Sequence, residues 1–372
     1  MKYAEYGSTG KRVSAVGFGG MRFDQQRPDE QNAELVRYAC EQGINYFDTA
    51  PGYGKSEDIF GIAFRDMPGE YYVATKAMPT EYETADGARE AVHKSLDRMG
   101  IERINFFHVW CLRKMDHYEL AVRPGGMYEG LEACRDEGLI EHIVFSSHQP
   151  GGEIRRIVES GKFQGVLLGV NLLNFPYRWE GIEAAHQAGL GVVAMNPLGG
   201  GEIPKNEREL AFLARGDETP TEAALRFLIG APQITVTLVG FTNRQHVDFA
   251  CRIADSAEPF TQADIQDVRA HLSANMNELC TGCGYCEGCP KNIPVPSYMQ
   301  FYNPKLLFGK TDEEMVNEIG TQHNWGILVG RQAEADECIE CGQCEEACTQ
   351  HLPIVERLKE IARWEKRAAE QD

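Results

Sequence analysis

Gly43-Ile44-Asn45-Tyr46-Phe47-Asp48-Thr49-Ala50-Pro51-Gly52-Tyr53-Gly54 is the stretch that decides how this chain folds. A helix-like segment, 29–42, runs into Gly43, a residue that accepts the left-handed turn closing many helices. The mostly apolar run 44–48 then reads as a buried strand, and the chain leaves it through a loop of Pro, Gly and polar residues. The same unit recurs along the first three quarters of the chain. Strands are expected at 15–19, 44–48, 71–75, 104–109, 142–146, 165–170, 191–195 and 234–240. Helical patterns lie between them at 29–42, 83–99, 127–137, 152–160, 178–188, 221–229 and 244–254, and a closing helix is expected at 262–274. Eight strands alternating with helices predict a parallel (β/α)8 TIM barrel, and about 250 residues is the usual length. A doubly wound sheet is the competitor, weakened because no G-x-G-x-x-G follows an early strand. The expected barrel domain is 1–275.

Beyond it the chain reads Cys280-x-x-Cys283-x-x-Cys286-x-x-Cys289-Pro290, then Cys338-x-x-Cys341-x-x-Cys344-x-x-x-Cys348, so these runs hold eight of the twelve cysteines. Three cysteines at i, i+3, i+6 with a fourth held apart is the bacterial ferredoxin pattern for a [4Fe–4S] cluster. Structural zinc usually pairs two distant C-x2-C knuckles, and disulfides suit small secreted scaffolds. Two [4Fe–4S] clusters are therefore expected in a small, α-rich ferredoxin-like domain at 276–372, with helices at 311–320 and 353–367. By the crossed ligation of two-cluster ferredoxins, Cys280, Cys283, Cys286 and Cys348 would hold one cluster, and Cys338, Cys341, Cys344 and Cys289 the other. Cys40, Cys111, Cys134 and Cys251 read as buried small hydrophobes.

A net charge of −19 argues against a nucleic-acid partner, which needs a basic footprint. No apolar run approaches the ~20 residues of a membrane span, so no membrane partner is expected. The first twenty residues show no apolar leader, which with reduced cysteines points to the cytoplasm.

The barrel's polar residues cluster after the strands, where barrel active sites are built. Phe47-Asp48-Thr49-Ala50-Pro51-Gly52-Tyr53-Gly54 follows the second strand and Ala74-Thr75-Lys76 ends the third. Gly17-Phe18-Gly19-Gly20-Met21-Arg22 closes the first, and Pro197-Leu198-Gly199-Gly200-Gly201 follows the seventh. Together these resemble the aldo-keto reductases, the D-T-A-x-x-Y-G and T-K pairing being the specific part. The ending Cys348-Thr349-Gln350-His351-Leu352-Pro353-Ile354 looks like the branch that carries a ferredoxin-type domain. The resemblance implies carbonyl reduction, or alcohol oxidation, with NADP or NAD by an Asp, Tyr, Lys and His set. It places Asp48, Tyr53 and Lys76 in the first three roles and implies cofactor contacts from Gly20, Met21, Arg22, Pro197, Leu198 and Gly200.

The chemistry of the residues agrees. Carbonyl reduction needs a hydride donor and a proton donor for the developing alkoxide. A tyrosine with a pKa of about 10 is a poor acid near neutrality. A neighbouring ammonium lowers that pKa, and a carboxylate fixes the ammonium in place.

Other positions depart from the family pattern. Aligned without gaps, Ile104-Asn105-Phe106-Phe107-His108-Val109-Trp110-Cys111-Leu112 puts Trp110 where the catalytic histidine is expected, with Asn105 at the acidic position before it. Either the strand is shifted and His108 is the fourth member, or Trp110 replaces it. An indole offers only an N–H donor. The replacement is the preferred reading, with His108 on the same face about 6–7 Å deeper. His148 is a further imidazole near the pocket. Ser146 and Ser147 match the polar pair aimed at the nicotinamide amide, and Asn171 stays near the sixth strand. Leu167 stands for the expected glutamine and Met195 for a ring-stacking aromatic. Thr242, Asn243 and Arg244 open a helix whose amide dipoles favour phosphate, with Arg244 placed for a 2′-phosphate. The adenine contacts expected a turn later read as Phe249 and Ala250.

Plain hydride transfer needs no cluster, so the cysteine runs imply one-electron traffic with ferredoxin, flavodoxin or a partner redox enzyme. The first functional expectation is an iron–sulfur oxidoreductase acting on a small carbonyl or alcohol substrate. The alternatives are a barrel fed by the clusters without nicotinamide, through a flavin, and a non-catalytic electron-transfer subunit.

Overall fold

The computed structural model describes residues 1–149, 151–208, 210–261, 263–266, 278–280, 283–325, 327–328 and 331–370. The chain divides into two units, Met1–Leu198 with Leu213–Asp267, and Gly199–Phe212 with Val268–Asp372. In the first unit a hairpin, β1 (Tyr3–Glu5) and β2 (Arg12–Ser14), precedes eight parallel strands. These are β3 (Val16–Gly19), β4 (Tyr46–Asp48), β5 (Tyr72–Ala77), β6 (Ile104–Leu112), β7 (Ile140–Ser147), β8 (Gly165–Gly169), β9 (Gly191–Met195) and β10 (Val236–Val239). They pair in chain order, and β10 closes on β3. The expected (β/α)8 barrel is the fold that forms.

Local chemistry marks the helices. Ala85–Met99 starts where Thr84 Oγ1 accepts the Gly87 N–H at 3.1 Å, and it ends on Gly100 at φ +62°. Pro220–Gly230 opens with a reciprocal capping box between Thr219 and Glu222. Ser56–Phe64 escaped the sequence reading because seven of its nine residues are buried. A helix covered on nearly all sides shows no polar stripe. The helix expected at 262–274 lies mostly outside the described residues, of which 263–266 are helical.

Strand alternation sets the level of each side chain. Tyr46, Ala74, Phe106, Val144, Leu167 and Val193 form one apolar cluster inside the barrel with Tyr6 from the hairpin. Tyr6 plugs the floor, its ring centroid 4.1 Å from that of Phe106. A Cβ at Gly165 or Gly191 would come within 2.4 Å of the Tyr6 side chain, so both strands begin on glycine. Two residues further along the strands come Asp48, Lys76, His108, Ser146, Gly169 and Met195. The apolar plug thus lifts the polar set to the C-terminal rim, where barrels bind ligands.

The second unit is helical, with Val295–Phe308, Asp312–Trp325, Gln343–Ala347 and Ile354–Ala369. Tyr298, Met299, Phe301, Ile319, Leu358, Ile361 and Trp364 build its core, and Cys280, Cys286, Cys289, Cys338 and Cys344 pack against it. Trp364 stacks on Tyr302 at 5.6 Å. Among the described residues no helix is long and apolar enough to cross a membrane.

Candidate functional site

Asp48 ends β4 and Lys76 sits near the end of β5, so the closed barrel sets them side by side. Lys76 Nζ donates to Asp48 Oδ1 at 2.7 Å and to the Thr49 carbonyl at 2.5 Å, and both side chains are buried. Loss of water raises the Asp48 pKa and lowers that of Lys76, each opposed by the partner's charge. Tyr53, on the loop after β4, lies with its ring centroid 5.1 Å from Lys76 Nζ. The sequence predicted that Lys76 lowers the Tyr53 pKa, but the site does the reverse. Burial first, then the negative charge of Asp48, hold the phenol well above its ordinary value. The ammonium is neutralised by a carboxylate in direct contact, so its pull on the phenol is cancelled. Tyr53 is held in its protonated form.

Support comes from residues that sequence reasoning missed. Thr49 Oγ1 donates to Ser56 Oγ at 2.7 Å, and Thr75 Oγ1 donates to the buried Glu57 at 2.7 Å. Glu57 also pairs with Arg98. Ser56 and Glu57 open the helix that the apolar pattern concealed, so no sequence signal pointed to them.

β6 carries a bulge. His108 pairs with Val144 and Val109 with Phe145, but Leu112 pairs with Ser147, so one extra residue is inserted. Cys111 takes φ +58°, a conformation unusual for a residue with a Cβ. The two serines of β7 stitch the bulge. Ser146 Oγ accepts the Cys111 N–H at 2.8 Å, and Ser147 Oγ donates to the Leu112 carbonyl at 2.9 Å. Trp110 packs edge-to-face on Tyr53 at 5.8 Å, and a Cβ on Gly52 would lie 2.8 Å from its Cη2. His108 is fully buried beside Lys76 in the β5–β6 register, with Nε2 3.9 Å from Asp48 Oδ2. The indole therefore borders Tyr53, while the imidazole sits beneath with the ion pair.

Burial, then the charge of Lys76, push the His108 pKa well below the ordinary histidine value. ¹⁵N NMR of histidine-labelled protein should show this ring neutral through the region near pH ~6.5 where free imidazole titrates. A His108 midpoint at that pH would contradict the buried, neutral ring. Because only the unfolded chain takes up this proton, the contribution of His108 to stability falls as pH drops below ~6.5.

The positions assigned to a dinucleotide are unevenly free. Ser147 and Asn171 are engaged internally, Asn171 Oδ1 accepting from the Leu173 N–H at 2.9 Å and the Asn174 N–H at 3.2 Å. Leu167 lies in the apolar plug, so Gly169 is the β8 residue at the rim, correcting the level read from the sequence. His148 fills the space over Gly169, with Nδ1 3.5 Å and Met195 Cε 3.8 Å from the position a Cβ would take. Gly20, Met21 and Arg22 form a short 3-10 turn, in which Gly20 is buried against Ser56 and Phe60 and Met21 is exposed. Arg22 lies across Gly240, where a Cβ would meet its side chain at 2.8 Å. Pro197 is buried and Leu198 half-buried after β9, and Gly200 continues the turn at φ +71°. Asn243 caps the helix Arg244–Ser256, accepting the His246 N–H at 2.9 Å, and Thr242 Oγ1 lies 3.2 Å from His246 Nδ1. The exposed Arg244 guanidinium stacks over Tyr38 at 4.7 Å. A capped helix N-terminus with an exposed, aromatic-backed arginine fits the phosphate end of NAD(P)H.

In the second unit Cys280, Cys283, Cys286 and Cys348 line one cavity with Met299, Leu352 and Ile354. Cys289, Cys338, Cys341 and Cys344 line another, of about 240 Å³, which Cys286 also borders. The sulfurs are close enough to interact: burial, then Cys280, Cys283 and Cys348, raise the Cys286 pKa. Yet no three or more His, Cys, Asp or Glu among the described residues converge to hold a single metal ion. Four thiols around each cavity suit a cluster whose irons each take one thiolate.

Comparison with known proteins finds two families along the chain. The model of the Aldo/keto reductase family matches residues 15–273, and that of the 4Fe-4S dicluster domain matches 279–352. The uncharacterized oxidoreductase YqkF of Bacillus subtilis (strain 168) is 23% identical over 312 residues, covering 74% of this chain and 98% of that protein. D-threo-aldose 1-dehydrogenase of Pseudomonas sp is 26% identical over 235 residues, covering 54% of this chain and 70% of the other. The aldo-keto reductase AKR11C1 from Bacillus halodurans, in its holo form, shares the fold with a TM-score of 0.62 at 22% identity, covering 74% of this chain and 99% of that structure. This chain belongs to the aldo/keto reductase family. It is an oxidoreductase of that kind, carrying a C-terminal 4Fe-4S ferredoxin-type domain.

Proposed function

We propose that this protein interconverts a small carbonyl compound and its alcohol with NADPH or NADH at the barrel rim. In this reading two [4Fe–4S] clusters exchange single electrons with a ferredoxin, a flavodoxin or a partner redox enzyme. The buried Asp48–Lys76 pair beneath Tyr53 carries the reading, since a structural barrel has no need to bury a lysine for a phenol to rest on. The bound nicotinamide would supply hydride, and the clusters would carry electrons one at a time. Tyr53, kept protonated, hydrogen-bonds the substrate oxygen and gives it a proton as negative charge develops there. Lys76 holds its charge near the phenolate that results, and Asp48 keeps Lys76 in place. Trp110 walls the pocket beside Tyr53 and excludes water. Arg244, Thr242 and Asn243 would hold the phosphates, with Arg22 and the Gly20–Met21 turn beside them. Ser146, whose oxygen accepts from Cys111, would turn its own proton to the nicotinamide amide.

A second reading rests on the internal engagement of Ser147 and Asn171 and on the lack of a polar side chain at Gly169. There the barrel dispenses with nicotinamide and draws electrons from the clusters, through a flavin. Anaerobic titration of reconstituted protein with NADPH and then NADH separates the two. The first reading expects enhanced nicotinamide fluorescence on binding. No fluorescence change with either nucleotide would discard it in favour of the second.

A further inference from the structure

We infer that Thr349 tunes the cluster held by Cys280, Cys283, Cys286 and Cys348, making it easier to reduce than its thiolates alone would allow. This rests on the two-cluster reading above. Thr349 follows the last cysteine, is fully buried, and lines the same cavity as those four sulfurs. Its Oγ1 lies 3.2 Å from Cys283 Sγ. A cysteine bound to iron is a thiolate and has no proton to give, so the hydroxyl must be the donor. Reduction adds negative charge that spreads onto the ligand sulfurs. A hydrogen bond to one of them therefore strengthens on reduction and raises the potential.

Two neighbours act in the same direction or hold the cage in register. Arg357 is 3% exposed, donates to the Glu278 carbonyl at 2.7 Å, and places its charge where it interacts with Cys280 and Cys348. Asn303 accepts the Cys280 N–H and donates to the Cys280 carbonyl, both at 2.8 Å. The other cage has a different environment. Its sulfurs receive backbone donors, Glu340 N–H to Cys338 Sγ at 3.4 Å and Glu345 N–H to Cys344, while the Glu345 carboxylate opposes the latter, and no side-chain hydroxyl is among the residues that line it. The first cage has an equivalent backbone donor in Leu352 N–H to Cys348 Sγ at 3.4 Å, so the threonine hydroxyl is an addition to it.

The test is an EPR-monitored redox titration of full-length, anaerobically reconstituted protein. Wild type should show two reduction midpoints. In Thr349→Val one should move to more negative potential by ~59 mV, a tenfold change in a one-electron reduction equilibrium, while the other stays put. Thr349→Ser should restore the wild-type value. Unmoved midpoints in Thr349→Val with full iron content would overturn the inference. So would loss of that cluster in both Thr349→Val and Thr349→Ala, which would make the residue structural. A wild type with a single midpoint and about four irons would count against the two-cluster reading, and a shift of that midpoint in Thr349→Val would still support the role of Thr349.

Discussion

Tyr53→Phe is expected to lower carbonyl reduction by about 10²–10⁴-fold, the usual contribution of a positioned general acid. The phenol lies over a lysine whose charge is already paired. Trp110 borders Tyr53, but an indole N–H does not exchange its proton in catalysis. His108 is fully buried with its pKa depressed, so it supplies no proton near neutrality. The substitution removes one oxygen and leaves the ring against Trp110 and Lys76, so the fold and iron content should not change. The assay is single-turnover oxidation of NADPH with a panel of small aldehydes and ketones. A Tyr53→Phe protein that reduces them at the wild-type rate would remove Tyr53 from the chemistry. Because the phenol pKa is raised, ionisation of Tyr53 itself should add no alkaline limb to the wild-type reduction rate below about pH 10.

Cys341→Ala is expected to take the iron content from about eight per chain to about four, with the characteristic EPR signal of one cluster lost. Cys341 is exposed and lines only the cavity shared with Cys289, Cys338 and Cys344. Cys283→Ala should also halve the iron, but from the cavity shared with Cys280, Cys286 and Cys348. The two variants should therefore retain different clusters with different midpoints. Iron analysis and EPR of both proteins check this. Full iron in either variant would break the ligand set. Cys348 makes a poorer test, since it is buried in the helical core and its truncation would perturb packing as well as ligation.

Much of this was legible from local pattern. All eight barrel strands lay where apolar runs bounded by glycine and polar loops placed them, because a buried strand shows its burial in its own residues. Spacing likewise marked the cysteine runs, since a tight loop must bring three thiols to three irons. Asp48, Tyr53 and Lys76 stood out by type and position at strand ends. Two features were not legible. The helix Ser56–Phe64 is covered on nearly all sides, so its pattern has no period. The β6 bulge depends on Ser146 and Ser147, which are distant in sequence and adjacent only across the β6–β7 ladder.

The chain's residue pattern alone determined the barrel, the cysteine-rich C-terminal unit and the types of residue at the rim. Tertiary structure decided what those residues experience. Lys76 beside Tyr53 suggests an acidified phenol until the fold buries both and sets Asp48 2.7 Å from the ammonium. A charge acts through the dielectric and the counter-charges around it. Those are properties of packed neighbours drawn from three strands and a loop, and no window of sequence contains them.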